Sequence, residues 1–358
     1  MYEVIFLPFL ISFITVVAVT PLSLIFIKRL GIIDDPKKHK HPAILHKKPI
    51  PRGGGIPLFI GVFVAGILFL PLTKIVIALF LASFISLLVG VLDDKYDLSP
   101  YVRFIFNIIA GLIIVGSGVG IQFITNPFGG TLYLNIFRFA FDFFGHHSIL
   151  VISDIIALIW LVWVMNMLNW SKGVDGQMPG IVAISAIVIG ILSLRFPVID
   201  QTNLISAKLS FILAGASLGF LIFNFYPAKI FPGYGATSIY LLLGALSILS
   251  SAKLATAILV MGVPMIDGVI TVVRRILSGK SPFWHDKKHL HHLLLGLGYG
   301  QRRIALFYWI ISAILGSLSL LLTSKGKLFA VIMVIIIVGG FLLFLHSALE
   351  RNDNETNI

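Results

Sequence analysis

Residues 74–100 read KIVIALFLASFISLLVGVLDDKYDLSP. No charged residue occurs from Ile75 to Leu92, and then Asp93, Asp94 and Asp97 follow within five positions. An uncharged run of this length reads as a helix able to cross a hydrocarbon core about 30 Å thick. The acids mark where it leaves the membrane. Working outward, similar runs lie at Tyr2 to Ile27, then at 55–71, 103–122, 149–168, 179–194, 205–223, 235–250, 253–274, 303–323 and 328–347, which makes eleven helices with that of 74–92. The fold class expected is an all-α polytopic membrane protein, with a single integral-membrane domain over 1–348 and a short tail at 349–358. The first run has no basic leader region and is too long for a signal-peptide core, so it reads as a retained helix.

Composition agrees. Of 358 residues, 58% are hydrophobic and 12% charged, with mean hydropathy +1.02, against about 45–50% and about 25% in soluble domains. A water-soluble globule, a collagen, a coiled coil and a disordered chain are excluded. The chain has no Cys, which excludes disulfides and Cys-based zinc or redox centres. Parity of eleven helices puts 28–54, 93–103, 169–178, 224–234, 274–303 and the tail on one side, and this side holds 20 of the 27 Lys and Arg residues. The positive-inside rule makes it cytoplasmic, with the N-terminus out and the C-terminus in. The opposite loop, 123–148, pairs IQFI with TLYLNIF around TNPFGG as a hairpin, followed by FRFAFDFF as an interfacial segment.

The polar clusters all fall on the basic side. Asp93 and Asp94 repel each other and stay ionised near a low-dielectric boundary only beside a cation, for which Mg²⁺ or Lys95 and Arg103 are candidates. In NMLNWSKGVDGQMPG, Asn166 and Asn169 share a helix face, while Gly173 and Gly176 bracket Asp175 in a loop able to present amides and a carboxylate. His285, His289, His291 and His292 sit among Arg274, Arg275, Lys280, Lys287, Lys288, Arg302 and Arg303. Zinc fits this block poorly, because helical spacing groups His289 with His292 and turns His291 away; an anion site for phosphates fits better. Gly53, Gly54 and Gly55 permit close backbone approach to a ligand, beside a basic belt of Lys37, Lys38, Lys40, Lys47, Lys48 and Arg52. Asp267, inside an apolar run, needs a polar partner, with Arg274 and Arg275 as candidates.

In this order and on this face, HKKPIPRGGGIP (46–57), LDDKYDLSP (92–100), NMLNWSKGVDGQ (166–177), NFYPAKIF (224–231), GVPMIDGVITVVRR (262–275) and DKKHLHH (286–292) resemble the polyprenyl-phosphate N-acetylhexosamine-1-phosphate transferases of glycosyltransferase family 4. The similarity is nearer to the branch that loads N-acetylglucosamine-1-phosphate onto undecaprenyl phosphate than to the muramoyl-pentapeptide branch. The resemblance implies an inner-membrane helical bundle with a cytoplasmic active site. It implies Mg²⁺-dependent transfer, with Mn²⁺ as substitute, of a sugar-1-phosphate from a UDP-sugar to polyprenyl phosphate, releasing UMP. Catalysis is assigned to Asp93, Asp94, Asp175 and Asp267, metal to Asp93 and Asp94, and substrate binding to Asn166, Asn169, Lys172, His289, His291, His292, Lys47 and Arg52. The expected partners are the two substrates and the bilayer, not nucleic acid, with a homodimer compatible.

Two positions depart from the family pattern. Its N-x-x-N-x-x-D-G-x-D-G loop has Lys172 at the first Asp, and its F-x-G-D-x-G-S segment is FPGYGAT here, with Tyr234 at the acid. Both changes remove negative charge from the expected metal site, and a Lys there repels a cation or replaces part of its charge. An active transferase and a pseudoenzyme that binds without turnover both follow. A carrier would need polar residues at mid-membrane depth, whereas here they gather at one end.

Overall fold

The computed structural model describes residues 2–37, 46–126, 129–142, 146–196, 200–249, 253–284, 286 and 288–355. A π-helical turn at Tyr2–Phe6 leads into α1 (Leu7–Arg29), followed by α2 (Gly55–Phe69), α3 (Lys74–Tyr96), α4 (Pro100–Gly116), α5 (Val151–Trp170), α6 (Gln177–Ser193) and α7 (Gln201–Asn224). The chain continues through α8 (Thr237–Ile248), α9 (Leu254–Val260), α10 (Gly262–Leu277), α11 (Leu290–Gly296), α12 (Gln301–Leu321) and α13 (Ser324–Glu355). Among the described residues, six helices are long and apolar enough to cross a membrane, and the bent pair α9–α10 makes a seventh candidate. Four shorter apolar helices, α2, α4, α6 and α8, occupy further runs of the sequence.

Local chemistry sets the boundaries around the site. Thr73 caps α3 by accepting from Val76 N–H, and Ser99 caps α4 in the same way with Pro100 in the first turn. Asp97 takes the left-handed conformation, φ 51°, and its N–H closes on Asp93 O, so α3 ends one turn past the paired acids. Every residue of α8 is buried. It packs on α3 and α5 as the bundle's axis, and the loop before it, 231–236, reaches the end of the bundle where α3 also stops.

Two elements differ from the sequence reading. The run 253–274 is not one helix: it breaks at Met261, and the two parts meet at 83°. Pro264 lacks an N–H and its ring crowds the carbonyl of Val260, so a straight helix cannot pass through it. The hairpin at 123–133 forms, with β3 (Phe123–Thr125) antiparallel to β4 (Thr131–Tyr133). FRFAFDFF, read as a separate interfacial segment, instead supplies β5 (Arg138–Asp142), paired with β6 (His146–Leu150); its alternation of apolar and polar residues suits a strand.

The glycines of PRGGG also have a different role. β1 (Ile33–Asp34) pairs with β2 (Ile50–Pro51), and the chain after β2 is laced to the loop before α8 through Phe231 N–H to Pro51 O, Gly54 N–H to Phe231 O and Gly55 N–H to Pro232 O. A Cβ on Gly55, or on Gly90 of α3, would collide with Gly235 backbone. The close approach is therefore of protein to protein rather than of backbone to ligand. Gly90→Ala is expected to cost about 1–3 kcal/mol by forcing these backbones apart, read as a lower midpoint of thermal unfolding in detergent, whereas Gly116→Ala, with open space around it, leaves the midpoint unchanged.

Candidate functional site

At the end of the bundle where these segments meet lies a cavity of about 1080 Å³, above the roughly 300–1,000 Å³ of typical small-ligand pockets. Its wall includes Lys47, Arg52, Asp93, Arg103, Asn166, Asn169, Lys172, Asp175, Tyr234, His289, His291 and His292. Segments far apart in sequence thus form one surface, as the clustering on one side predicted. His285, Lys287, Lys38 and Lys40 lie outside the described residues.

Asp93 and Asp94 are adjacent in α3 yet hold different positions. Both carboxylates have no exposed side-chain surface. Asp94 Oδ1 accepts from Tyr234 N–H at 2.7 Å and faces Arg52 Nε at 3.4 Å, and its Oδ2 accepts from Gly235 N–H at 3.4 Å. Gly233, at φ 67°, lets the loop turn against this carboxylate, where any Cβ would strike it. Asp94 is therefore a tether, absent from the cavity wall given above. Asp93 Oδ2 accepts from Arg103 Nη1 at 3.2 Å, while its Oδ1 is buried without a hydrogen-bond partner. Lys95, the other proposed partner, instead lies over the Tyr96 ring.

Lys172 is half-buried and its ammonium donates to Gly233 O at 2.9 Å. The Tyr234 ring lies within reach of two cations, 5.1 Å from the Arg103 guanidinium and 5.8 Å from Lys172 Nζ. Its hydroxyl accepts from Asn107 Nδ2 at 3.0 Å. Burial pushes the phenol up to about 12 despite the Asn107 hydrogen bond and the Arg103 charge, so it stays neutral.

Asn166 donates to Val162 O within its own helix, whereas Asn169 Oδ1 is buried and unpartnered. Asp175 holds the neighbouring loop, its Oδ2 accepting from Ala228 N–H at 2.9 Å, and burial raises its carboxyl above the ordinary value. The His block also departs from the helical reading. His289 lies outside α11 as its N-cap, so helical spacing does not apply to it, and its ring stacks on that of His291 at 5.6 Å and 8°. Asp267 takes His289 Nδ1 at 2.9 Å and Leu290 N–H at 3.0 Å. Arg274 and Arg275, expected as its partners, pair with Asp286 instead. Burial alone would raise Asp286, but the Arg275 hydrogen bond and both guanidinium charges hold it down to about 2. These pairings, with Arg275 Nη1 donating to Pro282 O, hold the His-bearing loop, and Arg275 also lines the cavity. His291 is driven well below the ordinary value by burial and by its His neighbours, so it is a neutral hydrogen-bonding group, and its Nδ1 has no partner.

A profile described as glycosyl transferase family 4 matches residues 76–251. The chain is 30% identical over 355 residues to a decaprenyl-phosphate N-acetylglucosaminephosphotransferase of Mycolicibacterium smegmatis, covering 90% of this chain and 83% of that one. It belongs to glycosyl transferase family 4. It is also 29% identical to a probable undecaprenyl-phosphate N-acetylglucosaminyl 1-phosphate transferase of Bacillus subtilis, over 92% of this chain and 88% of the relative. Similarity to the undecaprenyl-phosphate alpha-N-acetylglucosaminyl 1-phosphate transferase of Escherichia coli K12 is 26% over 88% and 83%. These relatives support the undecaprenyl-phosphate branch of the family.

The family profile takes in the paired acids, the 166–177 loop and Tyr234, while Arg52, Asp267 and the His block join the site by geometry. Arg103, a candidate partner of the paired acids in the sequence, does pair with Asp93, whereas sequence reasoning did not assign a role to Asn107. Asn107 left a signal, a lone amide in an apolar run, where an unpaired polar group is costly. Gln301, which accepts from Asp175 N–H, left none.

The donors present do not fit a resident Mg²⁺ or Mn²⁺. Asp94 and Asp267 have both oxygens engaged, Asp93 offers Oδ1 alone, and Asp175, on a separate loop, spends Oδ2 on Ala228 N–H and offers only its other oxygen. Arg52, Arg103 and Lys172 face two carboxylates, a formal charge of +1. Among the described residues, no group of three or more His, Asp or Glu side chains could hold a metal ion, zinc included. Asp94→Asn is expected to destabilise the fold by about 1–3 kcal/mol, since it removes the charge facing the partly exposed Arg52 and sets a buried NH₂ against a backbone N–H. Asp93→Asn should shift the unfolding midpoint much less, so detergent thermal melts separate the tether from the cavity-facing acid.

Proposed function

We propose that this chain transfers N-acetylglucosamine-1-phosphate, as an N-acetylhexosamine-1-phosphate, from its UDP-sugar to a polyprenyl phosphate such as undecaprenyl phosphate, releasing UMP. The carrying observation is the trio Asp93 Oδ1, Asn169 Oδ1 and His291 Nδ1: three buried polar atoms without hydrogen-bond partners, on residues of one cavity. Such atoms are costly unless a ligand or an ordered water pairs them. The names of the relatives support the same reaction. No observation favours binding without turnover.

In this reading a lipid-phosphate oxygen attacks the sugar-bearing phosphorus, and the bond to the bridging oxygen of UMP breaks. Asp93 Oδ1 takes the remaining proton of the lipid phosphate. Lys172, Arg103 and Lys47 balance the phosphates, while Asn169, His289 and the neutral imidazole of His291 bond the donor's polar groups. Asp94, Asp175 and Asp267 position the walls. The excess of Lys and Arg on the same side supports a cytoplasmic site in a plasma-membrane protein of eleven crossings, N-terminus out, forming one membrane domain over 1–348. The acceptor's chain then lies in the bilayer beside the cavity.

Purified protein given UDP-N-acetylglucosamine and undecaprenyl phosphate should release UMP and form a sugar–diphospholipid, and Asp93→Asn should lower the rate by at least about a hundredfold. Failure to form product from any of several UDP-sugars would count against the reaction. A pH dependence follows from Lys172, whose ammonium burial lowers to about 8 against the opposing pull of Asp94. The cation is present below that value and lost above it, so kcat/KM for the donor should fall as pH rises through about 8. Lys172→Arg should move the fall to higher pH, because a guanidinium stays protonated.

A further inference from the structure

We propose that the Lys172 ammonium takes the place of a divalent cation at the diphosphate, so that this site binds its nucleotide-sugar donor without metal. The proposal rests on the function above and on the mismatch between the donor set and a resident divalent ion.

Around the cavity floor, anion and cation positions are already matched. Asp94 spends both oxygens on Arg52 and on two backbone N–H groups, and Asp93 spends one on Arg103. Adding a divalent ion would raise the formal charge of this cluster from +1 to +3 with a single carboxylate oxygen to receive it. In a partly desolvated cavity like charges repel strongly.

Lys172 is built for the role instead. A Lys ammonium has three donors, and Gly233 O takes one of them. The hydrogen bond fixes Nζ beside the loop whose N–H groups hold Asp94, so the amine is placed by the same loop that places the acids. Tyr234 completes the arrangement. Its ring, within reach of Lys172 and Arg103, offsets the repulsion between the two cations, which an acid at this position would do by pairing with one of them and withdrawing its charge from a phosphate. Lysine at 172 and an uncharged ring at 234 therefore act as one device: a covalently attached positive charge replaces a bound one.

Two measurements on detergent-purified, chelator-stripped protein test this. In a Mn²⁺ titration followed by electron paramagnetic resonance, the parent should show no site filled in the micromolar range, while Lys172→Asp combined with Tyr234→Asp should acquire one. In calorimetric titration with UDP-N-acetylglucosamine, affinity should be the same in EDTA and in Mg²⁺. Lys172→Met should weaken it by about tenfold in both, and Lys172→Arg should retain it. A micromolar Mn²⁺ site in the parent would overturn the proposal, as would donor binding lost in EDTA and restored by Mg²⁺, or parent-like binding by Lys172→Met. If the parent binds no UDP-sugar under either condition, the donor assignment fails, and the Mn²⁺ titration still decides whether this cluster holds a metal.

Discussion

The structure depends on one buried carboxylate. A charge with no exposed surface persists only when cations and hydrogen-bond donors surround it, and Asp94 draws them from two places far from it in sequence: Arg52 from the segment before α2, and the N–H groups of Tyr234 and Gly235 from the loop before α8. Closing this knot fixes the end of α3, which carries Asp93. It also demands contact between bare backbones, which explains glycine at 55, 90 and 235. The loop 233–235 is gripped at both polarities, its N–H groups by Asp94 and its Gly233 carbonyl by Lys172.

Neighbours in sequence consequently divide their work. Successive helical residues point about 100° apart, so Asp94 turns into the knot and Asp93 toward the cavity, where Arg103 orients it through one oxygen and leaves the other unpaired. The same division recurs at the His block. Asp267, buried in α10, fixes His289 and the first N–H of α11, and stacking on His289 places His291. Each acid in the apolar part of the chain is thus matched locally, and the positive charge in excess faces the cavity.

Much of this was legible in the chain. Helices followed from run length except over 253–274, which breaks at Met261, and the gathering of polar clusters at one end followed from the placement of charge, because desolvation allows few alternatives for such segments. The paired acids, the Asn166–Asp175 loop and the His block were recognisable by residue type. Their partners were not. Asp267 was matched to Arg274 and Arg275 because they lie two turns along the same helix, yet in the structure His289 pairs with it and both arginines go to Asp286. The glycines of PRGGG look identical whether a ligand or a backbone approaches, and only the neighbour at Gly235 distinguishes the two.

What the sequence determined by itself was the solvent of each segment: which stretches must be helical in lipid and which end must carry charge. Those are one-dimensional properties, set by transfer free energy and residue chemistry. Tertiary structure alone decided which carboxylate is spent wholly on the fold and which keeps an oxygen unpaired, because a side chain's hydrogen-bonding capacity is consumed by neighbours from anywhere in the chain. Pairing is a property of three-dimensional proximity, and Asp93 and Asp94, identical in type and adjacent in order, acquire opposite roles only through it.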